Sequence, residues 1–196
     1  MIIILNCNGT QTIETERLIL RKLAYTDAND MLKYWISDPL VQFMYGEPIY
    51  VNNKEITELL DKYITFYKKM DYYRWAIILK ETNECIGQVA FFLVNSENHF
   101  GEIEYCIGKT FQKKGLATEA TKAVIKFGFE NINFHKVQIC HKEGNIASQK
   151  VIEKCGFNYE SALRDFFYRD GKYFDRLYYS LLKEEWSTSN KSTSIL

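Results

Sequence analysis

Several features are missing from this 196-residue chain, and each absence removes a class of function. No apolar run approaches the ~20 residues a membrane-spanning helix needs. The opening Ile2-Ile3-Ile4-Leu5 is too short for a signal-peptide core and lacks a basic lead, so no membrane partner is expected. A charge excess is missing too. Lys plus Arg number 25 and Asp plus Glu number 25, without the basic surplus that meets phosphates in a dedicated nucleic-acid binder. Two prolines and ten glycines are too few for a fibrous or low-complexity chain. Cys7, Cys85, Cys106, Cys140 and Cys155 form no CxxC pair, and the three histidines add no ligand spacing. No metal is expected, and the scattered thiols read as reduced groups in a cytoplasmic protein. Neither GxxxxGK[ST] nor GxGxxG occurs, which removes Walker-type NTPases and dinucleotide folds.

What is present is a large aromatic inventory, 14 Tyr and 13 Phe, in a chain long enough to bury roughly 70% of its unfolded surface without a staple. Residues 1–12 read as a flexible lead, 13–186 as one folded domain and 187–196 (STSNKSTSIL) as a disordered polar tail. Strand periodicity marks Glu16 to Leu23, Arg74 to Lys80, Cys85 to Val94, Glu102 to Ile107, Lys136 to Cys140, Tyr159 to Tyr168 and Tyr173 to Leu182. Helical spacing marks a segment capped at Thr26 or Asp27 and stopped by Pro39, and others at Lys54 to Lys68, after Gly115, and at Ile146 to Lys154. The order is α/β in one mixed sheet.

The informative stretch is Gln112-Lys113-Lys114-Gly115-Leu116-Ala117, between a strand and a helix. A helix start leaves its first four backbone N–H groups without intrahelical partners, and its dipole adds positive charge there. Gly115 removes side-chain bulk, Ala117 keeps the next turn bare, and Lys113 and Lys114 add charge at the rim. Together these make a pyrophosphate site. The plainer alternative is a tight turn with two solvated lysines. A pattern [QR]xxGx[GA] arises by chance on the order of 0.2 times in a chain this long, so alone it is weak.

A second segment, Asn145 to Phe157, follows directly after a strand and ends at Gly156-Phe157. With Thr15-Glu16-Arg17-Leu18-Ile19-Leu20-Arg21 and Gly115 to Ala120, it makes the chain resemble the GNAT (Gcn5-related N-acetyltransferase) superfamily, and within it the ribosomal-protein (RimJ/RimL-like) branch. The resemblance spans about Glu14 to Trp186. It implies a mostly antiparallel sheet with helices on both sides and a splayed strand pair forming a V-shaped acetyl-CoA slot. The amides of Gln112, Lys113, Lys114, Gly115, Leu116 and Ala117 would hold the pyrophosphate, with Thr118 helping. Cys106, Ile107 and Gly108 would bond the pantetheine arm through their main chain. Asn145 and Ser148 would face the cofactor's other side, although Asn145 also suits a simple helix cap.

The implied reaction is direct attack of a neutral amine on the thioester, and a carboxylate is the usual means of removing the ammonium proton. Glu102 and Glu104 lie two apart on one strand and share a face, which makes them either proton acceptors or surface charge. Many relatives carry a tyrosine late in the short helix as the proton donor to the thiolate. This chain has Ile152 there, so Ser148 takes that expectation. The acceptor would be a protein N-terminus or a small amine such as a polyamine or amino sugar, with residues 37–52 setting specificity. A monomer or homodimer is expected. A non-catalytic acyl-CoA sensor of the same fold is the alternative.

Overall fold

The computed structural model describes residues 4–193, with side chains described through Thr188. Eight strands form one sheet in the order β1-β2-β3-β4-β5-β6-β8-β7. They are β1 (Ile13–Glu14), β2 (Leu18–Arg21), β3 (Tyr73–Leu79), β4 (Glu84–Asn95), β5 (Phe100–Ile107), β6 (Lys136–Lys142), β7 (Asn158–Arg169) and β8 (Lys172–Leu182). Every neighbouring pair is antiparallel except β5–β6, whose parallel pairing runs only from Phe100↔Lys136 to Ile103↔Ile139.

Strand alternation divides the apolar residues between two cores. On one face Tyr73, Trp75, Ile77, Val89, Phe91 and Ile103 pack with α4 (Leu116–Phe127) and α5 (Ile146–Lys154). On the other face Ala76, Ile78 and Cys106 meet Met31, Trp35, Ile56 and Leu60. These last four come from α1 (Ala28–Met31), the wider turn Leu32–Ile36 that continues it, and α3 (Asn53–Phe66). The thiols Cys85, Cys106 and Cys155 are free and buried. No described helix is long and apolar enough to cross a membrane.

Several expectations are corrected. Pro39 does not close a helix; it opens α2 (Pro39–Tyr45) at the first helical position. That position needs no N–H, and proline presets its φ. Asp38 caps α2 by accepting from the Leu40 and Val41 amides. Asp27 caps nothing ahead of it; its carboxylate turns back to the Arg21 guanidinium and the Ala24 amide. The lead is not loose where it is described. Asn6 N–H donates to Ile132 O, Gly9 N–H to Met70 O, and the Thr10 hydroxyl to Tyr72 O. The segment expected to be a disordered tail continues as α6 (Lys183–Thr193). Trp186 lies 5.3 Å from the Phe129 ring, and Glu185 accepts from Leu182 N–H, so the helix is seeded by one docked aromatic despite its polar composition.

Candidate active site

Beyond Ile103 and Ile139 the two parallel strands part, and the ladder ends while both chains continue. The β4–β5 register then decides which main-chain groups face the gap. Gly108 N–H donates to Ile86 O at 2.9 Å. In the same register Cys106 opposes Gln88, so the main chains of Gly108, Cys106 and Glu104 turn toward β4. Those of Tyr105 and Ile107 turn away from β4 into the gap. This corrects the expectation for Cys106 and Gly108, whose amides are spent on the sheet. Ile107 turns its main chain into the gap, and so does Tyr105, for which the sequence alone carries no signal. Gln112 Nε2 donates to Ile107 O at 3.2 Å, tying the loop to the strand it leaves. Gly108 answers a packing need instead: a Cβ there would lie 2.9 Å from the Tyr34 backbone.

At the loop, Lys113 (φ +61°) and Gly115 (φ +79°) are both left-handed. The first amide to return into α4 is Glu119, to Gly115 O at 3.0 Å. The N–H groups of Leu116, Ala117 and Thr118 therefore have no partner among the described residues, while Lys113, Lys114 and Gly115 are exposed beside them. Such a row of free donors at a 12-residue helix start fits a pyrophosphate. The loop is fixed from behind. Glu119 accepts from the Thr15 hydroxyl, the Arg17 amide and Arg17 Nε, and Arg17 Nη1 reaches Lys114 O at 3.0 Å. Burial would raise the Glu119 carboxyl, but these bonds from Thr15 and Arg17 hold it below the usual range. The first-strand motif is thus the buttress of the Gly115 loop.

Across the gap, Asn145 caps α5 by accepting from Ser148 N–H at 3.2 Å. Ser148 Oγ lies 2.9 Å from the Tyr105 hydroxyl, so this pair joins the two banks of the slot. Burial pushes the Tyr105 hydroxyl well above its ordinary range, and Ser148 partly opposes it. Ile152 is fully buried core, with no proton to give.

The two glutamates share a face but not a role. Both Glu102 oxygens are engaged, one by Arg176 Nη2 (2.9 Å) and the other by Gln138 Nε2 (2.8 Å), and the residue is buried. It clasps β5, β6 and β8, and its burial beneath these bonds keeps an incoming ammonium away, which corrects the expectation for it. Glu104 accepts from the Tyr45 hydroxyl (2.7 Å) and Arg74 Nη2 (2.5 Å) on Oε1, and Oε2 has no partner among the described residues. Gln88 Nε2 joins the same Tyr45 oxygen, while its buried Oε1 has no donor. Glu47, just past α2, is held above the usual carboxylate range by burial and then by Glu104. Helix α2 roofs the gap on this face. Tyr45 fastens it to β5, and Lys142 Nζ, donating to Phe43 O at 2.6 Å, fastens it to β6. Phe43 and Tyr45 lie at this roof, whereas Trp35 is core and Phe166 and Tyr168 are exposed.

A family model described as an acetyltransferase (GNAT) domain matches residues 17–158. The chain is 30% identical over 177 residues to the uncharacterized N-acetyltransferase p20 of Bacillus licheniformis, covering 90% of this chain and 99% of that one. Its fold is similar to that of a GNAT-family acetyltransferase from Bacillus anthracis, at 26% identity and a TM-score of 0.77, covering 89% and 100% of the two chains. It is similar also to spermidine N-acetyltransferase from Vibrio cholerae, solved with CoA and spermine, at 22% identity and a TM-score of 0.76 over 88% and 99%. With the parted strands and the bare helix start already in place, the match settles the family: this chain is a member of the GNAT acetyltransferases.

Proposed function

We propose that this acetyltransferase moves an acetyl group from acetyl-CoA directly to a primary amine, either a protein N-terminal α-amine of the ribosomal-protein type or a small-molecule amine. The observation that carries the reading is the gap between β5 and β6, flanked by the free amides of Leu116, Ala117 and Thr118. Those amides, with Gln112 to Gly115, would grip the pyrophosphate, and the main chains of Tyr105 and Ile107 would bond the pantetheine arm. The bound coenzyme supplies a thioester activated toward amines.

The residues of the chain do the rest. Glu104 Oε2 is the carboxylate oxygen open to an ammonium on the roofed face, where it would hold the amine and accept its proton directly or through water. An α-amine, which ordinarily titrates near ~7.7–8.0, needs less help than a lysine amine near ~10.4. Ser148, hydrogen-bonded to Tyr105, would donate a proton to the departing sulfur. Thiol release from acetyl-CoA, followed over a panel of peptides and small amines, tests the reading. Turnover with at least one amine supports it. Coenzyme binding without turnover on any acceptor would make the chain a sensor, and absence of binding would refute the slot.

A further inference from the structure

Lys142 is the last residue of β6, on the same face of the sheet as Glu104, and it is 4% exposed. Its ammonium donates to Phe43 O, and it lies 3.6 Å from the Phe43 ring centroid and 4.4 Å from that of Phe167. An ammonium has three donors, and only one is spent here. No carboxylate pairs with it among the described residues, whereas the buried Arg74 is matched by Glu104 and the half-buried Arg176 by Glu102. A charge withdrawn from water without a counter-charge is costly.

A second cation shares the corner. The Arg169 guanidinium lies 4.1 Å from the same Phe43 ring, and its partner Asp170 is a sequence neighbour whose side chain is 86% exposed. Burial first, and then Arg169, hold the Lys142 ammonium down to about 8. The corner is one negative charge short, and it sits where α2 meets β6. The free Glu104 oxygen sits where α2 meets β5, so the roofed face is acidic at one end and basic at the other.

We propose that Lys142 and Arg169 receive an anionic group of the acceptor, so that the substrate is a primary amine carrying an acidic group close to its nitrogen. The inference rests on the acetyltransferase reading above and names the substrate class of that same site. Its amine would go to Glu104 and its anion to Lys142 and Arg169. A polycation such as a polyamine would meet a corner with an excess of positive charge. The acidic group could be the α-carboxylate of a free amino acid or an acidic side chain following a peptide N-terminus.

Steady-state CoA release by the full chain tests this with four acceptors: free glutamate, a short peptide amide with Asp at its second position, the same peptide with Asn there, and spermidine. The acidic acceptors are expected to exceed the Asn peptide in kcat/KM by roughly tenfold or more, the size of a hydrogen bond to a charged group. Preference for glutamate identifies a small-molecule substrate; preference for the Asp peptide identifies an N-terminus. Lys142→Met and the more exposed change Arg169→Gln should each lower the kcat/KM ratio of acidic to Asn-peptide acceptors roughly tenfold while leaving KM for acetyl-CoA unchanged. A lysine that merely seats α2 would lower all acceptors alike. Such a uniform loss, or spermidine or the Asn peptide matching the acidic acceptors, overturns the inference and leaves the transferase reading intact. Failure of acetyl-CoA to bind sinks both.

Discussion

Replacing Gly115 by valine separates a coenzyme-gripping loop from a mere turn. Gly115 has φ +79°, and an added Cβ would lie 3.4 Å from Arg17 Nη2, the guanidinium that steadies the loop through Glu119 and Lys114 O. A left-handed L-residue costs roughly 1–2 kcal/mol, and a branched side chain pressed on Arg17 adds to that. The chain relieves the strain by rotating φ, which swings the amides of Leu116, Ala117 and Thr118 away from their common target. Each hydrogen bond to a charged group contributes about 1.5–3 kcal/mol, so losing one weakens acetyl-CoA roughly tenfold to hundredfold. Isothermal titration of the full chain with acetyl-CoA reads the effect, and circular dichroism confirms folding. Gly156→Val is the control. Gly156 has φ +83° with nothing within 4 Å of the added Cβ, so it brings similar backbone strain outside the loop. It should lower stability comparably and leave affinity alone. A folded Gly115→Val protein binding within about twofold of the parent, or equal weakening by Gly156→Val, refutes the reasoning.

Glu104→Gln leaves the buried Arg74 guanidinium without its carboxylate, and urea denaturation should show a loss of about 3–5 kcal/mol, largely restored by adding Arg74→Met. If the single change costs nothing, the pair is not holding this face. Ser148→Ala should lower kcat roughly hundredfold while acetyl-CoA affinity holds, since proton donation is removed and the loop is untouched. An unchanged kcat means the thiolate leaves unaided. Burial and then Arg169 hold the Lys142 ammonium down to about 8 in the fold, below the ~10.4 of an unfolded chain. Between those values the unfolded chain binds more protons, so this group makes stability rise with pH. The melting temperature of the parent should therefore climb relative to Lys142→Met from pH 8 toward pH 10; a difference that stays flat or falls contradicts the buried, unmatched ammonium.

Local chemistry is legible in the sequence, and long-range pairing is not. The helix Ile146–Lys154 matches its sequence-read bounds because Asn145 and Gly156 punctuate both ends with side chain and φ. The loop at Gly115 is legible for the same reason. Pro39 misleads because a proline that ends one helix and one that starts the next look alike until Asp38 is seen capping. Glu102 and Glu104 are equivalent in the strand pattern. Only Arg176 and Gln138, distant in the chain, distinguish the clasped one from the open one. Tyr105 gives no signal because the parity that turns its main chain into the slot is set by the partner strand β4. The Lys142 corner gathers residues 43, 142, 167 and 169, which no spacing rule connects.

The four-rung seam between β5 and β6 makes this sheet a fabric with an unsewn slit. A pantetheine thread lying along Tyr105 and Ile107 would supply the missing stitches, and the coenzyme would then be part of the weave as well as the acyl carrier. Its concentration then sets how firmly the halves of the sheet are joined, by the logarithm of occupancy. Hydrogen exchange should report the mending first at the amides of Tyr105 and Ile107.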